Sequence, residues 1–204
     1  MIISLTGFMG CGKSSVGRRL SQLLCCPFID LDEAVEQAAG KSIPGIFASD
    51  GEAAFRALEI KTLKDIMMSE ERSDVAISTI LALGGGTVMT PECAEMVREN
   101  TYCIYLRASV DTLLERLSSE TSTRPLLTID SHSAYSTKDD VNSRSLQEAE
   151  LNTSLRGTEG WGDLRHRIES LMSVRSITYE NTAHTIIDTD GKSIDQICSE
   201  IARP

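Results

Sequence analysis

Gly7-Phe8-Met9-Gly10-Cys11-Gly12-Lys13-Ser14 is the stretch that decides the fold. It follows the apolar run Ile2-Ile3-Ser4-Leu5 and opens into a helical pattern from Val16 to Leu24. Glycine, four residues, then Gly-Lys-Ser, set between a strand and a helix, is the pattern of a phosphate-binding loop. Its glycines let the backbone curl so that successive N–H groups converge on phosphate oxygens. The helix that starts there adds its free N–H groups and its dipole. Lys13 supplies a point charge for the β- and γ-phosphates, and the Ser14 hydroxyl suits a magnesium ligand. A chance glycine-rich turn would not bring strand, motif and helix into agreement.

The bulk composition narrows the partners. The chain has 204 residues, the size of one α/β domain, and 41% hydrophobic residues, enough for a core. Its net charge of −10 repels nucleic-acid backbones and argues against DNA or RNA as a partner. An anionic substrate must then be held by a few well-placed cations. The six cysteines, at 11, 25, 26, 93, 103 and 198, form no CxxC pair and no zinc-like cluster. Cys25-Cys26 continues the apolar end of the first helix and reads as core. Cys11 stands inside the phosphate loop, where it reads as a small residue in a permissive slot rather than a redox sensor. No signal peptide, lipid motif or membrane span is visible, so a reduced, soluble, cytoplasmic protein is expected, without nucleic-acid or membrane partners.

Apolar runs alternate with helical patterns along the chain. Strands are expected at 2–6, 27–29, 75–83, 101–106 and 184–188. Helices are expected near 13–24, 31–39, 52–70, 91–99, 109–119, 164–175 and 193–202. Thr90 precedes a proline at a first helical position, Ser109 can cap the next helix, and Ser193 with Gln196 has capping-box spacing. This alternation predicts a parallel sheet covered on both faces. Residues 128–163 break the rhythm, with ten Ser or Thr, seven acids and three bases. Such a stretch buries little. Its place directly after Arg124-Pro125-Leu126-Leu127 suggests part of a closing lid, with Trp161 docking it onto the body.

Four constellations carry chemistry. Phe28-Ile29-Asp30-Leu31-Asp32 ends a short strand in two carboxylates at i and i+2, facing the same way. Asp32 alone could simply cap the following helix. Beside a phosphate loop, one acid can serve magnesium through water and the other can grip an acceptor hydroxyl. Arg56 lies on a helix after the Asp50-Gly51 turn. It is either ion-paired, with Glu52 one turn back, or a planar fork for a carboxylate. The apolar run Ala76–Leu83 ends in Gly84-Gly85-Gly86, either a flexible turn or bare backbone for a ligand to approach. Arg124 could reach over transferring phosphates. Arg124 and Arg175, each taken alone, read as surface charges.

Taken in order, these segments resemble the shikimate kinases. The resemblance rests on 7–14, on Phe-Ile-Asp-Leu-Asp at 28–32, and on Ile-Phe-Ala-Ser-Asp-Gly-Glu at 46–52 with Phe55-Arg56 and Glu59. It continues through Gly84–Gly86, Arg-Pro-Leu-Leu at 124–127, and Arg175 four residues before Tyr179. It implies a three-layer α/β/α fold with a five-stranded parallel sheet of order 2-3-1-4-5. One domain would span 1–204, with a substrate-binding subdomain near 31–62 and a lid near 117–163. It implies that Gly10, Cys11, Gly12, Lys13, Ser14 and Ser15 bind ATP phosphates, with magnesium held by Ser14 and, through water, Asp30. Asp32, Arg56, Gly84, Gly85, Gly86 and Arg175 would hold shikimate, the two arginines on its carboxylate. Asp32 would orient the 3-hydroxyl and accept its proton, and Arg124 would be the lid arginine. Lys192, in a loop after the last strand, and Arg116 are the residues expected beside adenine. Lys13, Asp32 and Arg124 are the expected catalytic residues of a monomeric, ATP- and magnesium-dependent kinase.

The stretch between Arg-Pro-Leu-Leu and Arg175 is longer than usual in that family, which makes Arg165 and Arg167 rivals of Arg175. Two other functions fit parts of the pattern: a kinase of another hydroxy acid such as gluconate, and a nucleotide-binding regulator that does not turn over. Asp32, Arg56 and the triple glycine argue against the first. Lys13, Asp32 and Arg124 argue against the second.

Overall fold

A computed structural model describes residues 1–70, 77–120 and 161–202. Five parallel strands form one sheet in the order β2-β3-β1-β4-β5. They are β1 (Ile2–Thr6), β2 (Phe28–Asp30), β3 (Thr79–Ala82), β4 (Thr101–Arg107) and β5 (Thr185–Asp188). The expected order is the observed one. The helices are α1 (Lys13–Leu24), α2 (Leu31–Ala39), α3 (Ile43–Glu70), α4 (Pro91–Asn100), α5 (Val110–Glu120), α6 (Trp161–Thr182) and α7 (Ile194–Ile201).

Both faces of the sheet are buried, as strands alternating with helices require. On one face Ile3, Leu5, Ile104, Leu106 and Ile187 meet Val16 and Leu20 of α1, Leu113 of α5, Ile168 of α6 and Ile197 of α7. On the other, Ile2, Leu81, Cys103 and Tyr105 meet Leu31 and Val35 of α2, Phe55 and Leu63 of α3, Val97 of α4 and Tyr179 of α6. Helix α1 lies close over β2. A Cβ on Gly17 would stand 2.4 Å from Cε2 of Phe28, so a glycine in mid-helix is demanded by contact. The capping box at Ser193 and Gln196, Pro91 at the start of α4 and the Ser109 hydroxyl at the start of α5 are all present.

Several boundaries differ from expectation. The third strand is shorter than 75–83, because its ladder follows β1 only from Ile2 to Leu5. Helix α3 begins nine residues before position 52, despite Pro44 and Gly45. Its first turn tolerates proline, and Glu36 of α2 accepts from the Ile43 N–H at 2.8 Å. The expected turn at Gly51 is a kink inside this helix (φ 79°, ψ 177°), a conformation that favours glycine. Helix α6 runs on past 175 to Thr182. The hydroxyls of Ser173, Ser176 and Thr182 bond back to carbonyls of the preceding turn, so the polar run stays helical. Cys25 is exposed, not core as expected, whereas Cys26 is half-buried and packs against the core. The chain turns outward at Cys25, which caps α1 at φ 50°. Of the expected lid segment 117–163, the end of α5 (117–120) and the start of α6 (161–163) are described, and the rest, with Arg124, lies outside the described residues. The docking expected of the Trp161 side chain lies outside them too.

Candidate functional site

The sheet order brings three strand ends together. Register pairs Leu5 with Ala82, and Ala82 with Asp30. The loop after β1, the glycines after β3 and the acids after β2 therefore emerge side by side at the carboxyl end. The chain leaves β1 toward β2 but leaves β3 toward β4. The crevice between β1 and β3 is thus a switch point, where ligands of open α/β sheets collect.

The phosphate loop has its expected form. Gly10 and Gly12 take φ 78° and 101°, and Gly12 is the N-cap of α1. No side chain caps this helix and no acid stands in its first turn. Its positive end is left for an anion. Lys13 Nζ donates to the carbonyls of Gly7 (2.8 Å) and Phe8 (3.1 Å), folded over the loop that it serves. Cys11 is buried in the core below, which fits the reading of a small residue filling a slot. Ser14 Oγ donates to Asp30 Oδ2 at 2.7 Å. A hydroxyl and a carboxylate at the mouth of the loop are oxygen donors suited to magnesium, which keeps several waters and phosphate ligands. Among the described residues no group of three or more His, Cys, Asp or Glu could hold a metal alone.

Asp30 rather than Asp32 caps α2, by accepting from the Asp32 N–H at 3.1 Å. That leaves the Asp32 carboxyl for the crevice. Burial chiefly pushes it up to about 6, with Asp30 adding repulsion and Lys13 drawing it part of the way back. Glu59 and Glu36 contribute smaller repulsions. Asp32 therefore shares one electrostatic environment with Lys13. A Cβ on Gly84 would stand 2.6 Å from Asp32 Oδ1, so this glycine makes room for the carboxyl.

Arg56 is held rather than solvated. Its Nη1 bonds Glu59 Oε2 at 2.8 Å, and Glu52, the partner that spacing suggested, lies farther off at 3.6 Å. Glu59 is almost fully buried and also accepts from Thr87 Oγ1 at 2.7 Å. The network Arg56–Glu59–Thr87 thus ties the guanidinium to the residue directly after the triple glycine. Arg175 is buried, with its guanidinium 5.9 Å from the centre of the Phe8 ring in the phosphate loop. Its rival Arg165 is exposed and bonded to Asp111 of α5, and Arg167 is half-buried. Geometry thus favours Arg175 for the crevice.

On the nucleotide side, Arg116 of α5 donates to the Cys11 carbonyl at 2.9 Å and reaches Thr189 after β5. It joins the phosphate loop to the expected adenine-side loop. Lys192 in that same loop is paired with Glu200 at 2.6 Å and lines a shallow groove along α7 with Asp195 and Ser199. The carboxylates there suit a polyphosphate poorly. Thr87 and Tyr179 were not singled out as site residues by sequence. The first follows the glycines and the second lies one helical turn after Arg175.

A glycine-lined phosphate loop and a polar crevice on adjacent strand ends of this sheet define a P-loop kinase of small molecules. The sequence profile described as shikimate kinase matches residues 9–160. The shikimate kinase of Chlorobium phaeobacteroides is 35% identical over 99% of this chain and 89% of its own. Among solved structures, that of shikimate kinase from Acinetobacter baumannii in complex with shikimate superposes with a TM-score of 0.70. It is 26% identical, over 98% of this chain and 89% of that one. Shikimate kinase from Aquifex aeolicus gives a TM-score of 0.67 at 27% identity, over 98% and 94%. The chain belongs to the shikimate kinase family.

Proposed function

We propose that this chain transfers the γ-phosphoryl group of ATP to the 3-hydroxyl of shikimate, giving shikimate 3-phosphate and ADP on the route to aromatic amino acids. What supports the reading is convergence: the Asp32 carboxyl packs against Gly84 and feels Lys13, and Arg56 is tied through Glu59 to Thr87, next to the triple glycine. The names of the relatives and the shikimate bound to the Acinetobacter structure support the choice of acceptor.

The residues act mainly by position and charge, since phosphoryl transfer asks little covalent chemistry of a protein. The N–H groups from Gly10 to Ser15 and the Lys13 ammonium hold the triphosphate. Ser14 and, through water, Asp30 would hold magnesium, which would neutralise phosphate charge. Arg56 and Arg175 grip the shikimate carboxylate, and Arg56 is pre-set by Glu59. Asp32 aligns the acceptor hydroxyl. As the O–P bond forms, that hydroxyl's proton passes to Asp32, and the bond from the γ-phosphorus to the bridging oxygen breaks. A carboxyl poised near 6 is suited to accept a proton at neutral pH. Arg124 completes the charge neutralisation from the lid.

Residues 31–62 serve as the substrate-binding subdomain and 117–163 as the lid. The enzyme works as a cytoplasmic monomer without nucleic-acid or membrane partners. No helix among the described residues is long and apolar enough to cross a membrane. A coupled assay with ATP, magnesium and a panel of hydroxy acids tests the reading. Turnover of shikimate but not gluconate is expected, and turnover of gluconate alone would overturn it.

A further inference from the structure

Helix α6 touches both halves of the crevice. Arg175 places its guanidinium beside Phe8 of the phosphate loop. One turn later Tyr179, fully buried, lays its ring 5.1 Å from that of Tyr105, and its hydroxyl donates to the Gly85 carbonyl at 2.5 Å. The other two glycine carbonyls are held locally, Gly84 by the Thr87 N–H (3.2 Å) and Gly86 by the Met89 N–H (3.0 Å). The Gly85 carbonyl is held from 94 residues away.

The turn closed by Thr87 N–H onto Gly84 encloses Gly85 and Gly86, but steric contact does not fix the plane between them. The φ of Gly85 lies outside the left-handed region, and a Cβ there would meet Met9 N at 3.5 Å, an ordinary contact. A glycine under so little steric restraint is conformationally free unless tethered. The peptide between Gly85 and Gly86 is a rigid trans plane, so fixing the carbonyl also fixes the opposed Gly86 N–H. We propose that Tyr179 is a positioning residue for the acceptor. Its hydroxyl locks the peptide plane of the backbone that shikimate meets, and it couples that plane to the helix carrying Arg175. This rests on shikimate being the acceptor.

The test is Tyr179→Phe, which keeps the ring on Tyr105 and removes only the hydroxyl. Loss of one such hydrogen bond should raise the shikimate KM about three- to tenfold. The ATP KM and kcat should stay within about twofold of the parent, while the melting temperature falls by a few degrees for one lost buried hydrogen bond. Tyr105→Phe is the control, because the buried Tyr105 hydroxyl has no hydrogen-bond partner among the described residues. It should leave the shikimate KM alone. An unchanged shikimate KM in Tyr179→Phe would overturn the assignment. So would a parallel rise in both KM values, or the same effect from Tyr105→Phe. A parent protein inert toward shikimate would instead overturn the choice of acceptor, and that result is seen before any substitution is made.

Discussion

Asp32 is held in the fold at an energetic cost. Its carboxyl titrates at about 6 against an ordinary 3.8, chiefly because it is buried. An acid with a raised folded-state pKa binds its proton more tightly folded than unfolded, so ionisation weakens the fold. The penalty is absent below about pH 4, grows up to about pH 6 and is complete above it, where it is roughly 3 kcal/mol. Ligand-free Asp32→Asn should therefore melt above the parent at neutral pH, and the gap should close as pH falls toward about 4. The same variant should lose at least about a hundredfold in phosphoryl transfer while holding ATP nearly as well. Paired thermal melts across pH and steady-state kinetics check both halves. Retained full activity would remove Asp32 from the acceptor site.

At the scale of elements, the seat of α1 on β2 fixes where the first carboxylates emerge. Gly17→Ala raises helix propensity by about 1 kcal/mol, yet drives a methyl into Phe28. Overpacking of this kind costs about 1–3 kcal/mol. The urea midpoint should fall with an unchanged slope, and a higher midpoint would mean that the Phe28 ring simply moves aside. The loop from 7 to 14 with its flanking strand and helix was readable because all its determinants are adjacent in sequence. The segment 43–50 was not, because Pro44 and Gly45 mask a helix whose first N–H is satisfied by Glu36 of another element. The α6 extension was hidden by serines and threonines that fold back on their own helix. Arg56 was legible as a candidate, whereas the closer of its carboxylate partners needs the fold to explain it. Glu59 is itself fixed by Thr87, 28 residues on. Contacts of that span leave no periodic trace.

Over the whole molecule, a chain of net charge −10 would, on the proposed reading, handle two anionic substrates with a few cations, Lys13, Arg56 and Arg175 among them. Long-range steering cannot help ATP arrive. The Debye length is about 30 Å at 0.01 M salt and about 10 Å at 0.1 M. Adding salt over that range should leave the nucleotide association rate flat or slightly higher. Stopped-flow binding at several ionic strengths checks this. A steep fall would reveal an attractive field that the composition does not supply.

The uncapped start of α1 has an outcome at the level of protein lifetime. Four N–H groups at a helix end normally find a side chain or water, and here neither a cap residue nor a first-turn acid is supplied. If nucleotide sits there as proposed, it finishes what the chain omits, and occupancy deepens the native well by mass action. Starved of ATP and ADP, the protein should be cut faster by a dilute protease than when either is present. A digestion rate indifferent to nucleotide would show that this helix end is secured in some other way.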